Sequence, residues 1–176
     1  SSETSTPSDA PNFASISSAF AAEIEDRAKL TGIKPSPDVL EKVTLVFLQY
    51  SQQFKAIDVA RANNLYQETA VALGQFMTGF DIILSPTMAT PPIALGRLGL
   101  MPDNFEKWGA EAAAFTPWTG LSNVSGQPSM SLPLAMSSDG LPIGVMMTGR
   151  YGEEALLFRL AGQVERAAPW SARRPS

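Results

Sequence analysis

Apolar residues recur at helical spacing early in the chain. Phe13, Ile16, Phe20 and Ile24 follow one another at three- and four-residue steps, and Arg27 and Lys29 precede Gly32. The pattern predicts an amphipathic helix closed by a glycine cap, with cations placed to suit the helix dipole. Ser36 as N-cap, Pro37 at the first helical position and Asp38 in the first turn predict a second helix with Leu40, Val43, Phe47 and Tyr50 on its buried face. A third helix is predicted from about Ile57 through Leu65, Ala72 and Phe76, stopping at Gly79.

Beyond that point the period changes. Gly32 is the one glycine before Gly74, whereas eleven glycines and eight prolines lie from Gly74 to Gly152, so the second part is expected to consist of strands and turns. Phe80-Asp-Ile-Ile-Leu-Ser-Pro-Thr87 is a short apolar run of the kind buried on both faces. In Ser129-Met-Ser-Leu-Pro-Leu134, Met130, Leu132 and Leu134 alternate with smaller residues; Ser137-Ser-Asp-Gly140 supplies turn chemistry, and Ile143-Gly-Val-Met-Met147 follows as a neighbouring strand. Glu153 and Glu154 open a last helix carrying Leu156, Leu157, Leu160, Ala161 and Val164, limited by Pro169. Three short strands make a poor sheet, which implies that strands are missing. The division expected is a polar tail over 1–11, a helical segment over 12–79 and a strand- and turn-rich segment over 80–176, all belonging to one partial domain.

With 176 residues, 44% hydrophobic and 17% charged, the chain has the composition of one or at most two core-forming domains. Thirteen Lys+Arg against seventeen Asp+Glu give a net charge of −4, the wrong sign for attracting nucleic acid. Every apolar run is broken well short of the roughly 20 residues a membrane span requires. Cysteine and histidine are both absent, which removes Ser-His-Asp and Cys-His catalysis, thiolate zinc sites and disulfides from this chain. The N-terminal residues lack the basic start and apolar stretch of a signal peptide, making the cytoplasm the default compartment.

The motif order then carries a likeness. Phe80-Asp-Ile-Ile-Leu-Ser-Pro-Thr87, Pro91-Pro92, Gly96, Phe115-Thr-Pro, Asn123-Val-Ser-Gly-Gln-Pro128, Ser131-Leu-Pro133, Gly140-Leu-Pro-Ile-Gly144 and Glu154-Ala-Leu-Leu, ending near Pro169-Trp170, resemble the C-terminal part of an amidase signature enzyme. The resemblance implies an α/β fold, the C-terminal part of an α/β/α sandwich with a mixed sheet and a helix-rich first half. It also implies amide hydrolysis by a serine nucleophile, a bridging serine and an unprotonated lysine, without metal or organic cofactor. Those groups are missing: the sequence has no Gly-Gly-Ser-Ser run, no Ser-x-x-Lys and no Gly-x-Ser-x-Gly. The chain is therefore expected to be a piece separated by truncation, nicking or a split gene, inactive alone. Its expected partners are the missing N-terminal portion and a small amide substrate.

By the same resemblance, Ala113, Phe115, Thr116 and Trp118 line the acyl-side substrate pocket; the alternative is that Phe115 and Trp118 are ordinary core aromatics. Gly126, Gly140 and Gly144 each have a backbone explanation in a turn or a close strand approach, Pro128 belongs to the same motif, and Asn123 can fix a loop through its side chain. Glu153 and Glu154 invite an acid/base reading, against which helix-dipole stabilisation is the simpler one. Two further possibilities stay open: a non-catalytic binding module, and a hydrolase using Ser1 as an N-terminal nucleophile. Exposed strand edges would favour self-association, with a homodimer as one outcome.

Overall fold

The computed structural model describes residues 11–172; Ser1 and nearly all of the expected tail lie outside the described residues. The elements in order are α1 (Pro11–Thr31), α2 (Lys42–Ser51), α3 (Ala56–Phe76), β1 (Ile82–Pro86), α4 (Phe105–Phe115), α5 (Thr119–Ser125), β2 (Ser129–Met136), β3 (Pro142–Gly149) and α6 (Glu154–Ala167). A single 3₁₀ turn, Met77–Gly79, follows α3. The chain is mixed α and β with a small antiparallel sheet. Two compact units are present, and neither is continuous: one holds the chain through Tyr66 with Leu95–Ala113, the other Gln67–Ala94 with the chain from Ala114 onward.

In the first unit, α1 ends as its pattern predicts, with Gly32 at φ 72 and its N–H donating to Ala28 O at 2.9 Å. The second helix begins later than expected. Ser36 opens only an isolated turn, its backbone carbonyl accepting from the N–H groups of Val39 and Leu40 at 3.1 and 3.0 Å. Glu41 is then extended (φ −66, ψ 154), and α2 starts at Lys42. Its first amides find partners far along the chain: Lys42 N–H donates to Met101 Sδ at 3.2 Å and Val43 N–H to Leu100 O at 3.1 Å. A long-range partner for these orphan donors replaces the local cap that the sequence advertised. The core here is aromatic. Phe13 stacks on Phe47 at 5.0 Å and meets Tyr50 edge-on at 5.3 Å, while Phe105 lies 5.7 Å from both Phe47 and Trp108.

The region expected to hold only strands and turns contains two helices, α4 and α5. Asn104 caps the first: its Oδ1 accepts from Lys107 N–H at 2.8 Å. Gly126, at φ 71, ends the second, its N–H donating to Ser122 O at 2.9 Å. Counting glycines and prolines over a long window averaged these short helices away.

In the second unit the sheet has the order β1-β3-β2, and both pairings are antiparallel. β2 and β3 form a hairpin across the Ser137–Gly140 turn, closed by Ser137 N–H to Leu141 O at 2.8 Å, with Gly140 at φ 76. On one face of the sheet, Leu132 and Met147 are buried against Leu157 of α6, with Leu160, Ala161 and Val164 packed around them. That is the helix face its spacing predicted. β1 departs from the run expected to be buried on both faces, because it lies at the edge of the sheet and Leu84 is 65% exposed. Arg150 fastens the start of this strand, donating from Nε to Phe80 O at 3.1 Å and pairing with the Asp81 carboxylate.

Candidate functional site

The period-two alternation of β2 and β3 gives the sheet two chemically different faces. Opposite the α6 face stand Ser129 and Ser131 of β2, Met146 and Thr148 of β3, and Ser85 of β1, as the strand registers require. Hydroxyls pair along this face. Ser129 Oγ and Thr148 Oγ1 are 2.7 Å apart, and Ser122 Oγ of α5 lies 2.7 Å from Ser129 Oγ. Further along, Thr87 Oγ1 and Ser131 Oγ are 2.6 Å apart, directly over Gly144. A Cβ on Gly144 would come within 2.6 Å of Ser131 Oγ and 2.7 Å of Thr87 Oγ1. Glycine is what lets two hydroxyls meet across the middle strand. Thr87 N–H donates to Gly144 O at 3.0 Å, which completes the clasp.

Beside this clasp a cleft of about 250 Å³ opens, lined by Met88, Pro91, Pro92, Phe115, Ile143 and Gly144 among others. The loop leaving β1 is tied to its far wall, since Ala89 N–H donates to Phe115 O at 3.0 Å. Of the four residues expected to form a pocket, Phe115 lines this cleft. Thr116 and Trp118 sit in the link to α5, with Trp118 46% exposed, and Ala113 falls in the other unit. The lining is mostly hydrocarbon, suited to holding an apolar group rather than to moving a proton. Sequence reasoning did not single out Thr87 or Ser131. The serine alternation Ser129, Ser131 opposite Met130, Leu132 was the available signal.

A larger cleft, about 540 Å³, lies in the first unit beside Arg97, Asp103, Lys107, Trp108 and Glu111. Four of the charges at or beside it form ion pairs, Arg97 with Glu111 and Asp103 with Lys42, each at 3.7 Å. Lys29 illustrates what a relay base must avoid: a hydrogen bond from its ammonium to Asp26 holds its pKa above the usual lysine range, so it keeps its proton. Glu153 is the N-cap residue and Glu154 the first residue of α6, where the helix dipole favours a carboxylate.

The amidase family profile matches residues 4–158. The chain belongs to the amidase family. This amidase chain is 33% identical over 164 residues to the 6-aminohexanoate-cyclic-dimer hydrolase of Paenarthrobacter ureafaciens, covering 89% of this chain and 33% of that protein. The same figures describe the corresponding hydrolase of Pseudomonas sp. strain NK87. A solved 6-aminohexanoate cyclic dimer hydrolase complexed with substrate superposes with a TM-score of 0.84 at 30% identity, over 97% of this chain and 38% of the other. A bacterial aryl acylamidase of the amidase signature family shares the fold, with a TM-score of 0.67 at 22% identity over 93% of this chain and 35% of its own. The amidase chain thus spans about a third of the length of these relatives. None of its described helices is long and apolar enough to cross a membrane.

Proposed function

We propose that the chain is the C-terminal portion of an enzyme that hydrolyses a carboxylic amide C–N bond through a serine acyl-enzyme, and that it supplies scaffold and a substrate-pocket wall without the bond-breaking groups. The observation that carries this reading is a coverage of 89% of this chain against 33% of its hydrolase relative, in a sequence without a Ser-x-x-Lys or a Gly-Gly-Ser-Ser run. A serine hydroxyl is a weak nucleophile until a positioned base takes its proton, and the tetrahedral intermediate needs preorganised donors at its oxyanion. On the face opposite α6 the hydroxyls pair with one another, Thr87 with Ser131 at 2.6 Å and Ser129 with Thr148 at 2.7 Å.

The cleft beside Phe115 is the pocket wall in this reading, and its apolar lining suits an aliphatic or aryl acyl group. A small amide related to the cyclic dimer of 6-aminohexanoate is the substrate class we favour, because the relatives covering most of the chain carry that name.

The test is amine release from the cyclic dimer, followed with fluorescamine. The purified chain alone should give none, and mixing it with the rest of the hydrolase polypeptide, which carries the serines and lysine, should restore turnover. Turnover by the isolated chain would refute the proposal.

A further inference from the structure

The seven methionines of the chain differ widely in exposure. Met77, Met146 and Met147 are buried, whereas Met88, Met136 and Met101 are 37%, 43% and 64% exposed. Met101, the most open of them, is also engaged: its Sδ accepts the Lys42 N–H at 3.2 Å. That amide is the first of α2, whose N-cap residue Glu41 makes no side-chain hydrogen bond to the helix and whose first turn carries no acidic residue. A thioether thus stands where Ser, Thr, Asn or Asp would ordinarily supply the acceptor.

Thioether sulfur is a weak acceptor with two lone pairs. At Met101 one of them is directed at the Lys42 N–H and the other is left to solvent. A peroxide meets the free pair first, because attack on the bonded pair must first give up the hydrogen bond, a factor of about threefold in rate. In that step an S–O bond forms and the O–O bond breaks. Sulfur gives up two electrons, the peroxide takes them, and the proton on the transferred oxygen passes to the departing one, which leaves as water. The product is a chiral sulfoxide with its oxygen turned away from Lys42. Its sulfur then carries partial positive charge and faces the positive end of a helix, so it no longer accepts the N–H.

We propose that Met101 is a stereoselective oxidation site for peroxides, and that forming its sulfoxide uncaps the first amide of α2. The effect is local, since Val43 N–H keeps its bond to Leu100 O and the Lys42 ammonium its ion pair with Asp103. Met136 supplies the internal comparison: it is well exposed, and its sulfur makes no hydrogen bond among the described residues.

The experiment treats the chain with dilute hydrogen peroxide, follows each methionine by peptide mass spectrometry, and resolves the two sulfoxide epimers with the two stereospecific methionine sulfoxide reductases. The expected result is an excess of one epimer at Met101 of at least about threefold, with the two epimers nearly equal at Met136. Hydrogen exchange at the Lys42 amide, read by NMR, should quicken at least about threefold on oxidation, with Val43 unchanged. Met101→Leu keeps the bulk and removes the sulfur, and should quicken Lys42 exchange to the same degree. Reductase treatment of the oxidised chain should restore the original rate. Equal epimers at Met101 overturn the proposal, as does a Lys42 amide that neither oxidation nor Met101→Leu alters. Slower exchange after oxidation also overturns it, by showing that the sulfoxide oxygen has taken over the N–H.

Discussion

Replacing Gly144 with alanine places a methyl group where two hydroxyls now meet. The new Cβ would stand 2.6 Å from Ser131 Oγ, 2.7 Å from Thr87 Oγ1 and 3.1 Å from Thr87 Cβ. The serine oxygen can swing away, but only by giving up its hydrogen bond to Thr87, worth about 1 kcal/mol net at most. The threonine Cβ is fixed to the end of β1, so it must shift with its backbone, and forced overpacking of this kind costs roughly 1–3 kcal/mol. Alanine's smaller unfolded-state entropy returns about 0.5 kcal/mol. The balance is a loss of about 1.5–3.5 kcal/mol, which for a chain of this size lowers the thermal midpoint by roughly 3–14 °C. The assay is calorimetric unfolding of Gly144→Ala in two backgrounds, the natural one and Thr87→Ala/Ser131→Ala, in which both oxygens are gone. If the clash with the hydroxyls contributes, the second background should reduce the penalty by about 1 kcal/mol, the 3.1 Å contact with the Cβ at position 87 remaining. An equal penalty in both would show that the close approach of Thr87 and Ser131 is not what demands glycine.

Four other outcomes follow from the same geometry. Leu157→Ala removes the α6 side chain buried against Leu132 and Met147 and should cost about 2–4 kcal/mol, seen as a lower urea midpoint with an unchanged slope. Gly126→Ala asks alanine to adopt φ 71 with its Cβ 3.3 Å from the Tyr151 ring; a loss of roughly 1–3 kcal/mol is expected in the same titration. Thr148→Val removes one of the two hydroxyl partners of Ser129, which is exposed and keeps Ser122, and should cost no more than about 1 kcal/mol by calorimetry. Phe115→Ala widens the cleft at its wall and, in the reassembled enzyme, should raise KM for an amide with a bulky acyl group while changing kcat little, as steady-state kinetics would show.

The elements that periodicity made legible were those whose partners are near in sequence. The hairpin of β2 and β3 was readable because alternation and turn chemistry agree over Ser129 to Met147, and α6 because its apolar stripe is unbroken from Leu156 to Val164. The start of α2 was not readable, since the donors at Lys42 and Val43 are satisfied by Met101 and Leu100, nearly sixty residues away. α4 was readable in principle: Asn104, followed by Phe105, Trp108 and Phe115 at helical spacing, is a capped amphipathic segment hidden inside a glycine-rich window. Within the candidate site, Gly144 was expected to serve either a turn or a close strand approach, but its neighbours Thr87 and Ser131 lie 44 residues apart in sequence and only the register of three strands brings them together. The pocket residues came from family likeness, and of those Phe115 alone reaches the apolar cleft.

The proline in the middle of β2 also bears on how copies of this chain can meet. Growth of a β filament needs each unit to offer two receptive sides, one to join and one to be joined. With Pro133 and the slipped register on the β2 side, and Pro86 at the end of β1 on the other, each side of the sheet carries a residue with no N–H to give. Crowding should therefore be held back from running on into fibres.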